Sequence, residues 1–109
     1  EAPSLDNVKL LLQGGGEIYA YDPVAESNFR RKYPEGQHDK GSICYVENPA
    51  DALKDANICF IFTEWKQIRE MEPQIFKKHM RTPLVYDGRN VFRPEEMEAA
   101  GVEYYSIGR

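Results

Sequence analysis

The sequence predicts an α/β fold: three layers built around a mainly parallel sheet. Three observations lead there. Helical and strand-like segments alternate along the chain, the pattern of a sheet flanked by helices. The most apolar run, "NICFIFT" at 57–63, is continuous rather than alternating, which marks a parallel strand covered on both faces. The first recognisable element is a helix, whereas a doubly wound unit opens on a strand that lies mid-sheet. Together these describe a Rossmann-like domain whose first central strand is expected to lie outside this chain. Residues 17–21 and 57–63 would then each lose a neighbour and present an unpaired edge.

The elements follow in order. Leu5, Val8, Leu11 and Leu12 recur at helical spacing, with Pro3-Ser4 as a start signal and Asp6 in the first turn. Gly14-Gly15-Gly16 ends that helix, because glycine takes the left-handed cap at no steric cost. "EIYAY", 17–21, alternates as a short strand stopped by Asp22-Pro23. A polar helix is expected over 24–32, then a breaker-rich loop, "YPEGQHDKGS", over 33–42. "ICYV", 43–46, is a short strand, and Asn48-Pro49 opens a helix to about residue 54 with Asn48 as its cap. After the strand at 57–63 come a helical turn over 65–69 and a helix from Pro73 to about residue 80. "LVYD", 84–87, reads as another central strand. Pro94 starts a helix through Ala100, closed by Gly101, and "VEYYSI", 102–107, is the last strand.

No linker or repeat divides the 109 residues, so they read as a single domain, 1–109. Hydrophobic residues make up 41% and charged residues 29%, ordinary globular composition. A net charge of −4 argues against nucleic acid held through its phosphates, though not against one small basic pocket. No apolar stretch approaches the roughly 20 residues of a membrane span. Cys44 and Cys59 sit in strand-like runs without metal-ligand spacing. They read as reduced, buried and structural, and the setting as cytoplasmic.

Ligands of open parallel sheets bind beyond the carboxyl ends of the strands. Those ends carry Asp22-Pro23, Thr63-Glu64-Trp65, Asp87-Gly88-Arg89-Asn90 and Gly108-Arg109. Arg89 is the sharpest candidate, since its planar fork of donors suits a phosphate or carboxylate. Gly88 allows a ligand close to the backbone. The competing reading of Arg89 is an ion pair with Asp87 or Glu64. Asp22 suits either a ribose hydroxyl or a turn before proline, and its position favours the turn. Trp65 reads as a packing residue or as the wall of a pocket.

Other features carry less. The triple glycine follows a helix and opens a strand, the reverse of a phosphate-binding loop. Arg30-Arg31-Lys32 beside Glu26 and Glu35 reads as a solvated face. His38 and His79 have no nucleophile or carboxylate at readable spacing. No catalytic residue and no metal site can be assigned, so these residues describe a domain that binds.

The segments "PSLDNVKLLLQGGGEIYAYDPVA", "DANICFIFTEWKQIREMEP" and "VYDGRNVFRPEEMEAAGVEYYSIGR" resemble the C-terminal, UDP-binding domain of UDP-glucose 6-dehydrogenases. The resemblance runs from Ser4 to Arg109. It rests most on Thr63-Glu64-Trp65 with Arg69 beyond, on Asp87-Gly88-Arg89-Asn90, and on residues 104–109. GDP-mannose and UDP-N-acetylmannosamine dehydrogenases share the fold but match the Asp-Gly-Arg-Asn segment less well.

The resemblance implies an NAD-dependent oxidation of UDP-glucose to UDP-glucuronate in the full enzyme. NAD would be bound by an N-terminal domain, and a central helical region would form the dimer. In this chain Arg89 would contact UDP, with Gly88 and Asp87 shaping its loop and Glu64 and Trp65 as pocket wall. The family's catalytic cysteine lies in a glycine-flanked motif that neither Cys44 nor Cys59 occupies. Its phenylalanine-lysine pair and Asp-x-Arg segment would fall before Glu1. The chain by itself is therefore expected to bind without catalysing. The alternative is a non-catalytic α/β interaction module.

Overall fold

The computed structural model describes residues 2–24 and 26–106. The chain divides into two compact units, Glu1–Ala52 and Leu53–Arg109, each with its own sheet and core. The sheets carry the strand orders β1-β3-β2 and β4-β5-β6. Three of the four strand pairings are parallel, as the alternating pattern predicts.

In the first unit, helix α1 (Ala2–Gln13) starts earlier than expected. Pro3 and Ser4 fall inside its first turn, where proline is tolerated, and Asp6 lies beyond that turn. Val8 and Leu12 are buried, and Leu5 lies outside the residues whose side chains are described. The helix closes in a Schellman motif. Gly15, at φ 86°, donates to Leu12 O, and Gly16 donates to Leu11 O at 2.8 Å.

Strand β1 (Glu17–Tyr21) runs parallel to β3 (Gly41–Val46). The helix expected over 24–32 is shorter: α2 (Asn28–Lys32) is capped by Ser27, whose hydroxyl accepts from Arg30 N. The Asp22 carboxylate holds the preceding residues out of the helix by accepting from Val24 N and the Ser27 hydroxyl. The expected loop over 33–42 contains a strand, β2 (Gly36–His38), antiparallel to β3. A two-residue turn at Asp39-Lys40 joins them, with Asp39 at φ 55°, a left-handed conformation that aspartate tolerates. Val8, Leu12, Tyr33 and Ile43 form the core of this unit.

Helix α3 (Pro49–Leu53) ends on Leu53, which belongs to the second core. Strand β4 (Cys59–Ile61) is shorter than the predicted 57–63 and stands, like β1, at an edge of its sheet, the position expected of residues 57–63 and 17–21 in this chain. It is not covered on both faces. Its apolar run divides by pleat: Cys59 and Ile61 face the core, while Phe60 stacks on Phe62 and Tyr86, and Tyr86 on Tyr105. Tyr86 and Tyr105 remain exposed. Continuous hydrophobicity here therefore marks one buried face and one aromatic ladder of registered cross-strand neighbours.

Beyond β4 lie α4 (Lys66–Arg69) and α5 (Gln74–His79), then β5 (Leu84–Asp87), α6 (Pro94–Ala99) and β6 (Glu103–Ser106). Strand β5 pairs parallel with both neighbours and is the centre of this sheet, as predicted. A second Schellman motif ends α6: Gly101, at φ 82°, donates to Glu98 O, and Val102 to Met97 O. Its hydrophobic partners Met97 and Val102 are both buried in the core with Ile61, Phe76, Met80, Val85 and Phe92.

The tightest backbone approach in the first unit is at Gly41. A Cβ there would stand 2.4 Å from Gly16 O, itself engaged by Ser42 N. Gly41→Ala is expected to cost about 1–3 kcal/mol by overpacking against rigid backbone, read as a lowered midpoint in urea unfolding.

Candidate functional site

The carboxyl end of the central strand β5 is built on one buried charge. Asp87 lies two residues after Val85, so the pleat points both inward, and Asp87 is only 1% exposed. A buried carboxylate must find donors, and the loop after it supplies them. Arg89 N donates to Oδ1 at 3.0 Å. Val91 N and Phe92 N donate to Oδ2 at 2.8 and 3.1 Å, and the Tyr104 hydroxyl reaches the same oxygen from β6 at 2.6 Å. That hydroxyl also lies 3.0 Å from Phe92 O, so one proton serves two acceptors. Gly88 N donates to Ile61 O at 2.8 Å, tying the loop to the end of β4. Asn90 takes a left-handed φ of 54°, and Phe92 returns to the core edge-on to Phe76. Among the described residues no buried side-chain nitrogen or oxygen lacks a partner.

The sequence places Asp87 and Arg89 side by side, but the structure sends them opposite ways. Asp87 turns inward and holds the loop. Arg89 turns outward, where its Nε and Nη2 donate to Glu64 Oε2, the first at 3.1 Å. Both side chains of this ion pair are about half exposed, 52% and 51%. Of the two ion pairs weighed from sequence, the one with Glu64 forms. Trp65, half-buried, is the N-terminal cap residue of α4 and offers its carbonyl to Ile68 N and Arg69 N. Arg69 ends that helix exposed. The candidates Glu64, Trp65, Asp87, Gly88 and Arg89 thus gather at adjacent strand ends. Gly108-Arg109 lies outside the described residues.

Other candidates resolve differently. Asp22 serves its turn, accepting from Val24 N and the Ser27 hydroxyl, and does not present a free carboxylate. Arg30 is not simply solvated: its Nε and Nη2 donate to Asp22 O at 3.1 and 2.6 Å, and the guanidinium lies 4.3 Å from the Tyr45 ring centre. Arg31 likewise donates to Glu26 O. The triple glycine is a helix cap and not a phosphate cradle. His38 donates to Pro34 O. Cys44 and Cys59 are free, and as whole residues intermediate in exposure where burial was expected. Enclosure of the thiol, with the Asp87 carboxylate adding to it, pushes Cys59 up to about 12. Burial likewise pushes the Tyr45 phenol up to about 12, although Arg30 pulls the other way.

Sequence reasoning missed Tyr104, the side chain that completes the Asp87 site from 17 residues away. Tyr104 stood in the predicted last strand, 102–107, and among the residues that carry the resemblance, but neither linked it to Asp87. Among the described residues no group of three His, Cys, Asp or Glu is placed to hold a metal ion, and no helix is long and apolar enough to cross a membrane.

Residues 1–94 match the family model described as UDP-glucose/GDP-mannose dehydrogenase family, UDP binding domain. The chain is 39% identical over 109 residues to UDP-glucose 6-dehydrogenase TuaD of Bacillus subtilis, covering 99% of this chain and 22% of that protein. It is 38% identical over 109 residues to the UDP-glucose 6-dehydrogenase of Pseudomonas aeruginosa, covering 100% of this chain and 24% of that one. For the UDP-glucose 6-dehydrogenase of Rhizobium meliloti the identity is 32%, with 100% and 23% covered. The chain therefore spans under a quarter of the length of these relatives.

Asp87→Asn places an amide donor among groups that themselves donate. It is expected to cost about 1.5–3 kcal/mol, the worth of hydrogen bonds to a charged group. Tyr104→Phe should cost about 1 kcal/mol, and urea unfolding of the double variant should show coupling between them. With its thiol pKa raised, Cys59 is almost wholly protonated at pH 8. Iodoacetamide is expected to leave it unmodified in the native chain and to label it after denaturation, as peptide mass spectrometry would show.

Proposed function

The chain belongs to the UDP-glucose/GDP-mannose dehydrogenase family, matching its UDP-binding domain, and on that premise we propose that the loop at 87–90 receives the diphosphate of UDP through Arg89. One observation carries the reading: a guanidinium held outward at the carboxyl end of the central strand, already engaged with a carboxylate. A phosphate presents the same acceptor geometry to the same donors. Gly88 has no side chain to bar a ligand from the backbone, and Asp87 acts from behind, through the loop it holds. Trp65 and Glu64 border the site.

The whole protein, in this reading, oxidises UDP-glucose to UDP-glucuronate with NAD in the cytoplasm. NAD is bound chiefly by an N-terminal region, and a central region forms the dimer. The relatives' names support the UDP-glucose substrate over UDP-N-acetylmannosamine or GDP-mannose. The family match runs across both compact units, which supports counting 1–109 as one domain. The chain alone contributes nucleotide binding and no catalytic group, and its partners include neither nucleic acid nor membrane.

One arginine and a few backbone donors, at about 1.5–3 kcal/mol per charged hydrogen bond before binding costs, support a dissociation constant on the order of 1 mM for the 109-residue chain. An amide-resolved NMR titration should show Gly88, Arg89 and the 63–65 loop moving with UDP and not with NAD. Arg89→Ala should remove the response. A dispersed spectrum that UDP leaves unmoved would refute the proposal, and a micromolar constant would refute the weak-site argument.

A further inference from the structure

Building on the reading of Arg89 as the UDP contact, we propose that Glu64 is an internal competitor for the ligand. It occupies the Arg89 guanidinium until an incoming anion displaces it, and so sets the affinity of the site.

Arg89 has five N–H groups in a rigid plane. Two of its nitrogens, Nε and Nη2, converge on a single oxygen of Glu64, Oε2. That edge of the guanidinium is one that a phosphate grips with two oxygens. Two anions on one edge would repel each other, so ligand and Glu64 exclude one another there.

The exchange of Glu64 for an incoming anion is cheap. Both side chains are half exposed, so Glu64 can turn back into water with little change in its hydration. A buried pair would resist, because breaking it strands a charge. An exposed pair of this kind holds only weakly.

The loop is held by groups other than Glu64. The backbone at 87–92 is held by Asp87, with Tyr104 behind it and Gly88 N on Ile61 O. Removing the Glu64 charge therefore frees Arg89 without moving its base. A pure competitor has a recognisable signature: it weakens every ligand that needs Arg89 by one common factor and leaves alone any ligand that does not.

The experiment titrates the 109-residue chain and its Glu64→Gln and Glu64→Ala variants with UDP, inorganic diphosphate and uridine, read by amide shifts. Both variants are expected to bind UDP and diphosphate tighter by a common factor of roughly two- to five-fold, the size set by an exposed ion pair. Uridine, which has no phosphate, should show no gain. Equal or weaker binding of UDP by the variants would overturn the competition and make Glu64 a bystander or a ligand contact. An equal gain for uridine would also overturn it, assigning the effect to a rearranged site. Silence of the parent and both variants toward UDP and diphosphate alike would instead overturn the reading of Arg89, and the competition with it.

Discussion

The buried carboxylate of Asp87 is the constraint from which the rest of the second unit takes its shape. A charge this enclosed is tolerable only where donors surround it. Three backbone N–H groups and one phenol do so, drawn from a loop and a neighbouring strand. Meeting that demand bends residues 88–92 into one path. The path forces Asn90 into the left-handed region and returns Phe92 to the core. It also leaves Arg89 with its amide turned in and its side chain turned out. The outward arginine is thus a consequence of the inward aspartate.

The first unit solves a related problem with less burial. Asp22 also ends a strand and also accepts from the backbone two residues on. Its carboxylate meets Ser27, which caps α2, and its carbonyl is gripped by Arg30. Arg30 in turn lies over Tyr45, whose hydroxyl donates to Tyr33 O. In both units an aspartate at a strand end serves as a local anchor for the chain that follows. In the second unit the anchor leaves Arg89 at the surface, paired with the half-exposed carboxylate of Glu64.

This separates the parts of the proposed site by task. Asp87, Tyr104 and the bond from Gly88 N to Ile61 O build the platform. Arg89 and Glu64 stand on it and are exposed enough to exchange partners. A substitution in the platform should act through stability, and one at the tip through binding. Membership of the dehydrogenase family suits such a division, since a binding loop gains precision from a rigid support.

Much of this was legible in the residues themselves. Alternating elements gave the α/β class, because helix and strand periodicities differ locally and need no tertiary information. Gly15 and Gly101 marked both helix ends, since a left-handed cap is a property of one residue's backbone. Arg89 stood out because a cation at a strand end has a limited set of uses. What the sequence could not determine was set by contacts between distant residues. The 57–63 run has the composition of a strand covered on both faces, yet pleat divides its side chains between a core and an aromatic ladder. Strand β2 arises from a polar stretch that pairs only because a two-residue turn brings it back on β3. The choice of Glu64 over Asp87 as the partner of Arg89 was likewise tertiary. Asp87 is the nearer in sequence, but its carboxylate is drawn inward by Tyr104 and the loop amides, while Glu64, 25 residues away, is brought to the guanidinium by the adjacent strand.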